Sequence, residues 1–190
     1  MRRVVVTGMG IVSPLGVGVG AVWDRLIAGQ SGIRKISHLK VDDMPSQIGG
    51  YIPLPGIEGY DTCGLNPEDV ADSKEMRKLD PFILFALAAA DEAMKDSGWA
   101  PKTEEERYRT GVMIGSGIGG LHSVYEASVT LHEKGPRRLS PFTVPMLLIN
   151  LASGHVSIRH GLKDPNHSVV TACATGSHAI GDAARLIQFG

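Results

Sequence analysis

Apolar residues follow two kinds of pattern along this chain. Three short β-branched runs, "RVVVTGMG" (3–10), "TGVMIGSGIGG" (110–120) and "HSVVTACATG" (167–176), end in glycine or another small residue and lead into helical spacing. Continuous apolar runs of this length predict strands covered on both faces, as in a parallel sheet. They lie too far apart to form hairpins with one another, so helix-containing crossovers must join them. The expected fold class is α/β, with a mostly parallel sheet.

The strongest helical pattern is "LDPFILFALAAADEAMKDSGW". Asp80 is a good N-cap, Pro81 fits the first helical position and Gly98 can close the C-terminus. From Phe82 to Ala90 the segment is apolar all round, which predicts a helix buried on most sides within a layered architecture. A weaker helix is expected at 18–29 around Val22, Trp23, Leu26 and Ile27, stopped by Gly29. Residues 38–72, rich in Gly, Pro and Asp, read as an irregular excursion without a domain break. A loop near 134–145 precedes an apolar helical segment, "MLLINLASGHVSI" (146–158). The last helix carries Ile180, Ala183, Ala184 and Ile187 at i, i+3, i+4 and i+7, an expected buried stripe. Its small residues Gly176, Ser177, Ala179 and Gly181 are expected to let its first turns approach another backbone. Three strands are few for a sheet with both faces covered, so the pattern predicts an incomplete sheet.

Composition narrows the classes. The 190 residues form most simply one domain. Hydrophobic residues make up 43% and charged residues 21%, as in ordinary soluble proteins. A formal net charge of −1 leaves no footprint for nucleic acid or an anionic membrane. No stretch reaches the roughly eighteen apolar residues of a membrane span, and the opening "MRRVVVTGMG" lacks the apolar core of a secretory signal. The two cysteines, Cys63 and Cys173, lie far apart in unlike settings and form no disulfide framework, which points to a cytoplasmic compartment.

Candidate chemistry gathers at two places. "GSGIGG" (115–120) follows a strand-like run and matches a dinucleotide-binding fingerprint, which leaves an oxidoreductase reading open. Glu126 and Glu133 fall near the expected acidic position, but both lie in a polar helical stretch and not at the end of a strand. Glycines that let backbone pass close to a neighbour or a ligand channel explain the loop better. The seven histidines form no tight ligand pairs, so no metal is expected. Cys63, in "DTCGLNPED", sits in a polar stretch with no visible activating group. Cys173 differs. It stands between a strand-like run and a helix start, where free N–H groups and the helix dipole favour a thiolate. Its own N–H can serve a developing oxyanion. His178, five residues on, is expected to point away from the thiol.

"TACATGSHAIGDAARLI" resembles the active-cysteine segment of the β-ketoacyl-acyl-carrier-protein synthases, the condensing enzymes of fatty-acid synthesis. The likeness extends in order through "RRVVVTGMGIVSPLG" (2–16), "GQSGI" (29–33), "MRKLDPFILFALAAADEAMKDSG" (76–98), "GVMIGSGIGG" (111–120) and "GPRRLSPFTVPMLLINLASGHVSIRHGLKDPNHSVVTACATG" (135–176). It covers essentially the whole chain and is closest to the type II synthases of dissociated bacterial pathways.

The resemblance implies a thiolase-like layered fold, with residues 1–190 as its N-terminal half and the second half and the rest of the sheet absent. It implies that Cys173 takes an acyl group from acyl carrier protein and that malonyl-carrier-protein then condenses with it. It requires no cofactor beyond the carrier's phosphopantetheine. Gly117 and Ile118 match acyl-pocket positions. Phe142 and Thr143 match a loop that reaches the partner subunit's pocket in a homodimer, although Thr143 replaces a phenylalanine common in close relatives. The family's two histidines and lysine lie beyond the matching residues, so this chain alone is expected not to complete condensation. A non-catalytic dimerising or carrier-binding fragment is the alternative.

Overall fold

In the computed structural model, which describes residues 2–190, the chain opens with a hairpin of β1 (Val12–Ser13) and β2 (Gly16–Val17), followed by helix α1 (Val19–Ile27). A second antiparallel pair, β3 (Ile33–Lys35) and β4 (Ile48–Gly50), precedes two short helices, α2 (Tyr60–Cys63) and α3 (Ser73–Met76). Then come α4 (Pro81–Ser97), α5 (Glu104–Tyr108), β5 (Val112–Met113) and α6 (Leu121–Lys134). The chain continues through α7 (Thr143–Leu147), α8 (Leu151–His160), β6 (Asn166–His167) and α9 (Thr175–Phe189). Short 3-10 turns occupy Pro67–Asp69, Pro136–Arg138 and Ala172–Ala174.

Helix α4 is the centre of the molecule. Asp80 caps it by accepting the Phe82 N–H at 3.2 Å, Pro81 starts it, and Gly98 ends it at φ +65°. These are the signals the sequence carries. No residue from Pro81 to Met94 is exposed, and Ile83 and Leu87 are fully buried. Around them pack Leu65, Ala71, Leu79, Leu84, Val112, Val156 and Leu162, so the 65–79 segment, β5 and α8 share one core with α4. The expected all-round burial of this helix holds in part: Ile83, Leu84 and Leu87 are buried, and the other residues from Pro81 to Met94 are half-buried.

Asp80 does more than cap. Its other oxygen accepts from the Ser123 N–H at 3.0 Å and from the Ser123 hydroxyl at 2.7 Å, and both residues are buried. One carboxylate therefore holds the starts of α4 and α6 together. A third tie joins α8 to its neighbours: Arg159 reaches Asp91 of α4 at 2.8 Å and Glu75 of α3 at 3.3 Å.

The strands depart from expectation. The run 3–10 forms no strand. Its residues Gly8 and Gly10 lie on α4, where an added Cβ would stand 2.3 Å from the Ala93 carbonyl and 1.9 Å from the Ala89 carbonyl. The Met9 N–H donates to Asp96 at 2.8 Å and the Ile11 N–H to Glu92 at 2.9 Å, so side-chain carboxylates replace a sheet partner. Glu92 also accepts the Val19 N–H at 2.7 Å, at the start of α1. Among the described residues only β5 and β6 pair in parallel, through Val112 with Asn166 and Met113 with His167. The run 167–176 contributes no strand past His167. Instead of a mostly parallel sheet, the described residues hold three two-stranded ladders, two of them antiparallel.

Three helical expectations also change. The segment 146–158 divides into α7 and α8 around the turn at 148–150. In α1 only Val22 is buried, while Trp23, Leu26 and Ile27 are exposed. In α9 the expected stripe is only partly covered: Ala183 and Ala184 are half-buried, but Ile180 is 72% exposed and Ile187 is also exposed, whereas Thr175 and Ala179 are buried. The contact of α9 with β5 sets this rotation. A Cβ on Gly176 or Gly181 would meet open space, so these glycines serve no close approach.

Replacing Asp80 with Ala removes a helix cap and leaves buried Ser123 donors unpaired, for an expected loss of about 2–4 kcal/mol in unfolding free energy. Urea denaturation measures it, and a loss under about 0.5 kcal/mol would refute the structural role assigned to this carboxylate. The pH response has its own marker. Burial in α8 lowers the pKa of His155 below its usual 6.5, aided by Arg159 and Lys78 and opposed by Glu75. The folded protein thus resists protonating a group that the unfolded chain protonates near pH 6.5. Stability from His155 is full above that pH and falls as the pH drops through the folded pKa. Denaturation midpoints measured across this window should flatten in His155→Gln, and unchanged curvature would contradict the assignment.

Candidate active site

Cys173 occupies the 3-10 turn Ala172–Ala174, which leads directly into α9. Its side chain is exposed. The residue before it, Ala172, has φ +50° and is the only non-glycine residue with positive φ among those described. A left-handed alanine costs about 1–2 kcal/mol, so the surrounding contacts must hold it there.

Those contacts come mainly from Thr175. Its buried hydroxyl accepts the Thr171 N–H at 2.9 Å and donates to the Ala172 carbonyl at 2.7 Å. The Ala174 N–H closes back on the Thr171 carbonyl at 3.0 Å. Among the described residues, the Cys173 N–H donates to no backbone or side-chain acceptor. The turn therefore carries an exposed Cys173 whose N–H is engaged by no acceptor among the described residues, and addition to a thioester carbonyl uses a thiol and such a donor.

The glycine loop 115–120 lies behind this turn. An added Cβ on Gly115 would stand 2.3 Å from both the Thr175 methyl and the Val169 carbonyl, and one on Gly117 3.3 Å from the Ala172 carbonyl. At the other end of the loop, Gly119 and Gly120 crowd Leu147 and Met146 of α7, where a Cβ would lie 2.8 Å and 2.4 Å from their carbonyls. The loop glycines thus serve close backbone approach, as expected. Glu126 and Glu133 lie within α6, away from any strand end.

The candidate pocket residues sit on either side of this loop. Gly117 touches the cysteine turn, and Ile118 beside it is 67% exposed. Thr143 lines a cavity of about 230 Å³ between α6 and the 138–146 segment, together with His122, Glu126, Arg138 and Met146. Phe142 is exposed, with the Lys78 ammonium 5.2 Å from its ring centroid. The structure brings Gly117 to the cysteine turn and places Thr143 and Phe142 at the far end of the same loop.

His178 makes no hydrogen bond with Cys173. Its Nδ1 lies 3.3 Å from the Thr171 hydroxyl and its Nε2 3.1 Å from Asp182. Cys63 departs from the sequence reading. It closes α2 and is buried, and Arg34 donates to its sulfur at 3.3 Å, as the thiol does to the Gly59 carbonyl at 3.3 Å. The charged partner comes from β3, some thirty residues earlier, so the local sequence gives no sign of it. No group of three or more potential metal ligands occurs among the described residues. No helix among them is long and apolar enough to cross a membrane.

The family model described as "Beta-ketoacyl synthase, N-terminal domain" matches residues 1–190. The chain belongs to the β-ketoacyl synthase family. It is 55% identical, over its full length, to the 3-oxoacyl-[acyl-carrier-protein] synthase 2 of Rhizobium meliloti, of which it covers 44%. It is 47% identical to the mitochondrial 3-oxoacyl-[acyl-carrier-protein] synthase of Arabidopsis thaliana and covers 42% of that protein. A β-ketoacyl synthase structure from Burkholderia phymatum superposes with a TM-score of 0.73 at 27% identity, covering all of this chain and 44% of the other. The chain thus has the ketosynthase, thiolase-like fold and spans under half the length of these relatives.

Sequence reasoning missed Thr175 and the left-handed Ala172. The available signal was a hydroxyl two residues beyond the cysteine at a helix start, where threonine commonly bonds to nearby backbone.

Native-state alkylation with iodoacetamide should label Cys173 and spare Cys63 until denaturant is added. Peptide mapping reads the outcome, and equal labelling of both thiols under native conditions would contradict their assigned environments.

Proposed function

We propose that this chain carries the acyl-accepting half of a β-ketoacyl-acyl-carrier-protein synthase, with Cys173 as nucleophile. The observation that supports the reading most is the exposed thiol beside a free N–H on a strained turn, in a chain matching the ketosynthase family throughout. The Cys173 thiolate adds to the thioester carbonyl of an acyl carrier protein, and the Cys173 N–H faces the oxyanion. Collapse of the adduct expels the carrier's phosphopantetheine thiol and leaves an acyl-cysteine thioester.

In the condensing step, malonyl-carrier-protein loses carbon dioxide and its carbanion attacks the acyl carbonyl. A carbon–carbon bond forms, the Cys173 thiolate leaves, and the product is a β-ketoacyl thioester two carbons longer. The donors that polarise the malonyl thioester belong, by family resemblance, to residues beyond those matched here. Acyl carrier protein as partner rests on the names of the relatives. We assign Gly117, Ile118, Phe142 and Thr143 to the acyl passage, with the latter two acting across a homodimer. The cytoplasm is the proposed compartment, on the strength of two unbridged cysteines. No bound cofactor is needed, because a thiol serves as both nucleophile and leaving group.

Incubation with an acyl-carrier-protein thioester should add one acyl mass to the peptide bearing Cys173, detected by mass spectrometry. Cys173→Ala should abolish the adduct. Acylation at another residue, or none at Cys173, overturns the proposal.

A further inference from the structure

The geometry points to Thr175 as the positioning residue for the nucleophile: its hydroxyl is a clasp that bridges the residues before Cys173 to the helix after it. This inference rests on the proposed acyl transfer to Cys173 and adds a residue that sets its geometry.

Thr175 is only 4% exposed, and both hydrogen bonds of its hydroxyl stay within the turn. It accepts from the Thr171 N–H and donates to the Ala172 carbonyl, so the two bonds span Cys173 without touching it. The Thr175 N–H reaches the same Ala172 carbonyl, which fixes that peptide plane from two directions. That plane links Ala172 to Cys173, and its N–H is the free one beside the thiol.

Without the clasp, Ala172 can relax from φ +50° toward the usual negative range. The relaxation turns the Cys173 N–H away from the carbonyl that the thiol attacks. The methyl of Thr175 has a separate task. It packs where Gly115 has no side chain, and this seats the first turn of α9 against the loop. Hydroxyl and methyl therefore make different predictions. The hydroxyl governs alignment of the thiol with its N–H, and the methyl governs packing.

Thr175→Val keeps the shape and removes both hydrogen bonds, whereas Thr175→Ser keeps the hydroxyl and removes the methyl. In Thr175→Val, the rate of Cys173 acylation at saturating acyl thioester should fall about 10-fold or more, with half-saturation unchanged within about two-fold. Alkylation by iodoacetamide, which uses no oxyanion donor, should change by less than about three-fold. Hydrogen exchange at the Thr171 amide should lose its protection. Thr175→Ser should retain that protection and acylate within about three-fold of the wild type.

If Thr175→Val acylates as fast as the wild type, the inference fails while the proposed function stands. If acylation and alkylation fall together with the folded fraction read by circular dichroism, Thr175 is structural only and the inference also fails. A wild-type protein that takes no acyl group at Cys173 overturns the proposed function, and this inference with it.

Discussion

The position of the cysteine traces back to a buried carboxylate nearly a hundred residues earlier. Asp80 caps α4 with one oxygen and grips Ser123 of α6 with the other. Since α6 begins where the glycine loop ends, that grip fixes one end of the loop against the central helix. The loop then meets Thr175 at Gly115 and Ala172 at Gly117, so its path limits where the cysteine turn can lie. A buried carboxylate is costly unless its hydrogen-bonding capacity is used. Here three donors use it, and the two residues supplying them belong to the two helices that must stay in register.

What the sequence made legible was local. The start and end of α4 rest on Asp80, Pro81 and Gly98, whose effects act within a turn of their own positions. The helix start just after Cys173 was legible for the same reason: a small-residue junction before a helical pattern is a short-range signal. The strands were less so, because an apolar run states only that a residue avoids water and not what covers it. The run 3–10 shows the difference. The N–H of Met9 in the run and that of Ile11 just after it found carboxylates of α4, and no periodicity could distinguish that partner from a neighbouring strand.

The misread face of α9 has a related cause. Spacing identified Ile180, Ala183, Ala184 and Ile187 as one side of the helix, but contact with β5 and the glycine loop buried Thr175 and Ala179, kept Ala183 half-buried and left the two isoleucines exposed. Small residues make close approach possible and large ones make burial favourable. In α9 the approach of Thr175 to Gly115 of the loop prevailed at the N-terminal turn. Cys63 completes the picture: its polar neighbours concealed a buried thiol whose partner, Arg34, is distant in sequence.

The segment crossing α4 is a problem of commensurate lengths. Met9 and Ile11 are two residues apart in an extended chain, a span of about 6.6 Å. Asp96 and Glu92 are four apart on a helix, a rise of about 6.0 Å running the opposite way. Two steps of one backbone nearly equal one turn of the other, so alternate amides meet successive carboxylates while Gly8 and Gly10 fit against the intervening helix backbone. Sliding the segment by a single residue would bring Thr7 and Met9 against that backbone and turn the donors away. The helix thus acts as a vernier, setting the chain's register by matching two different repeats.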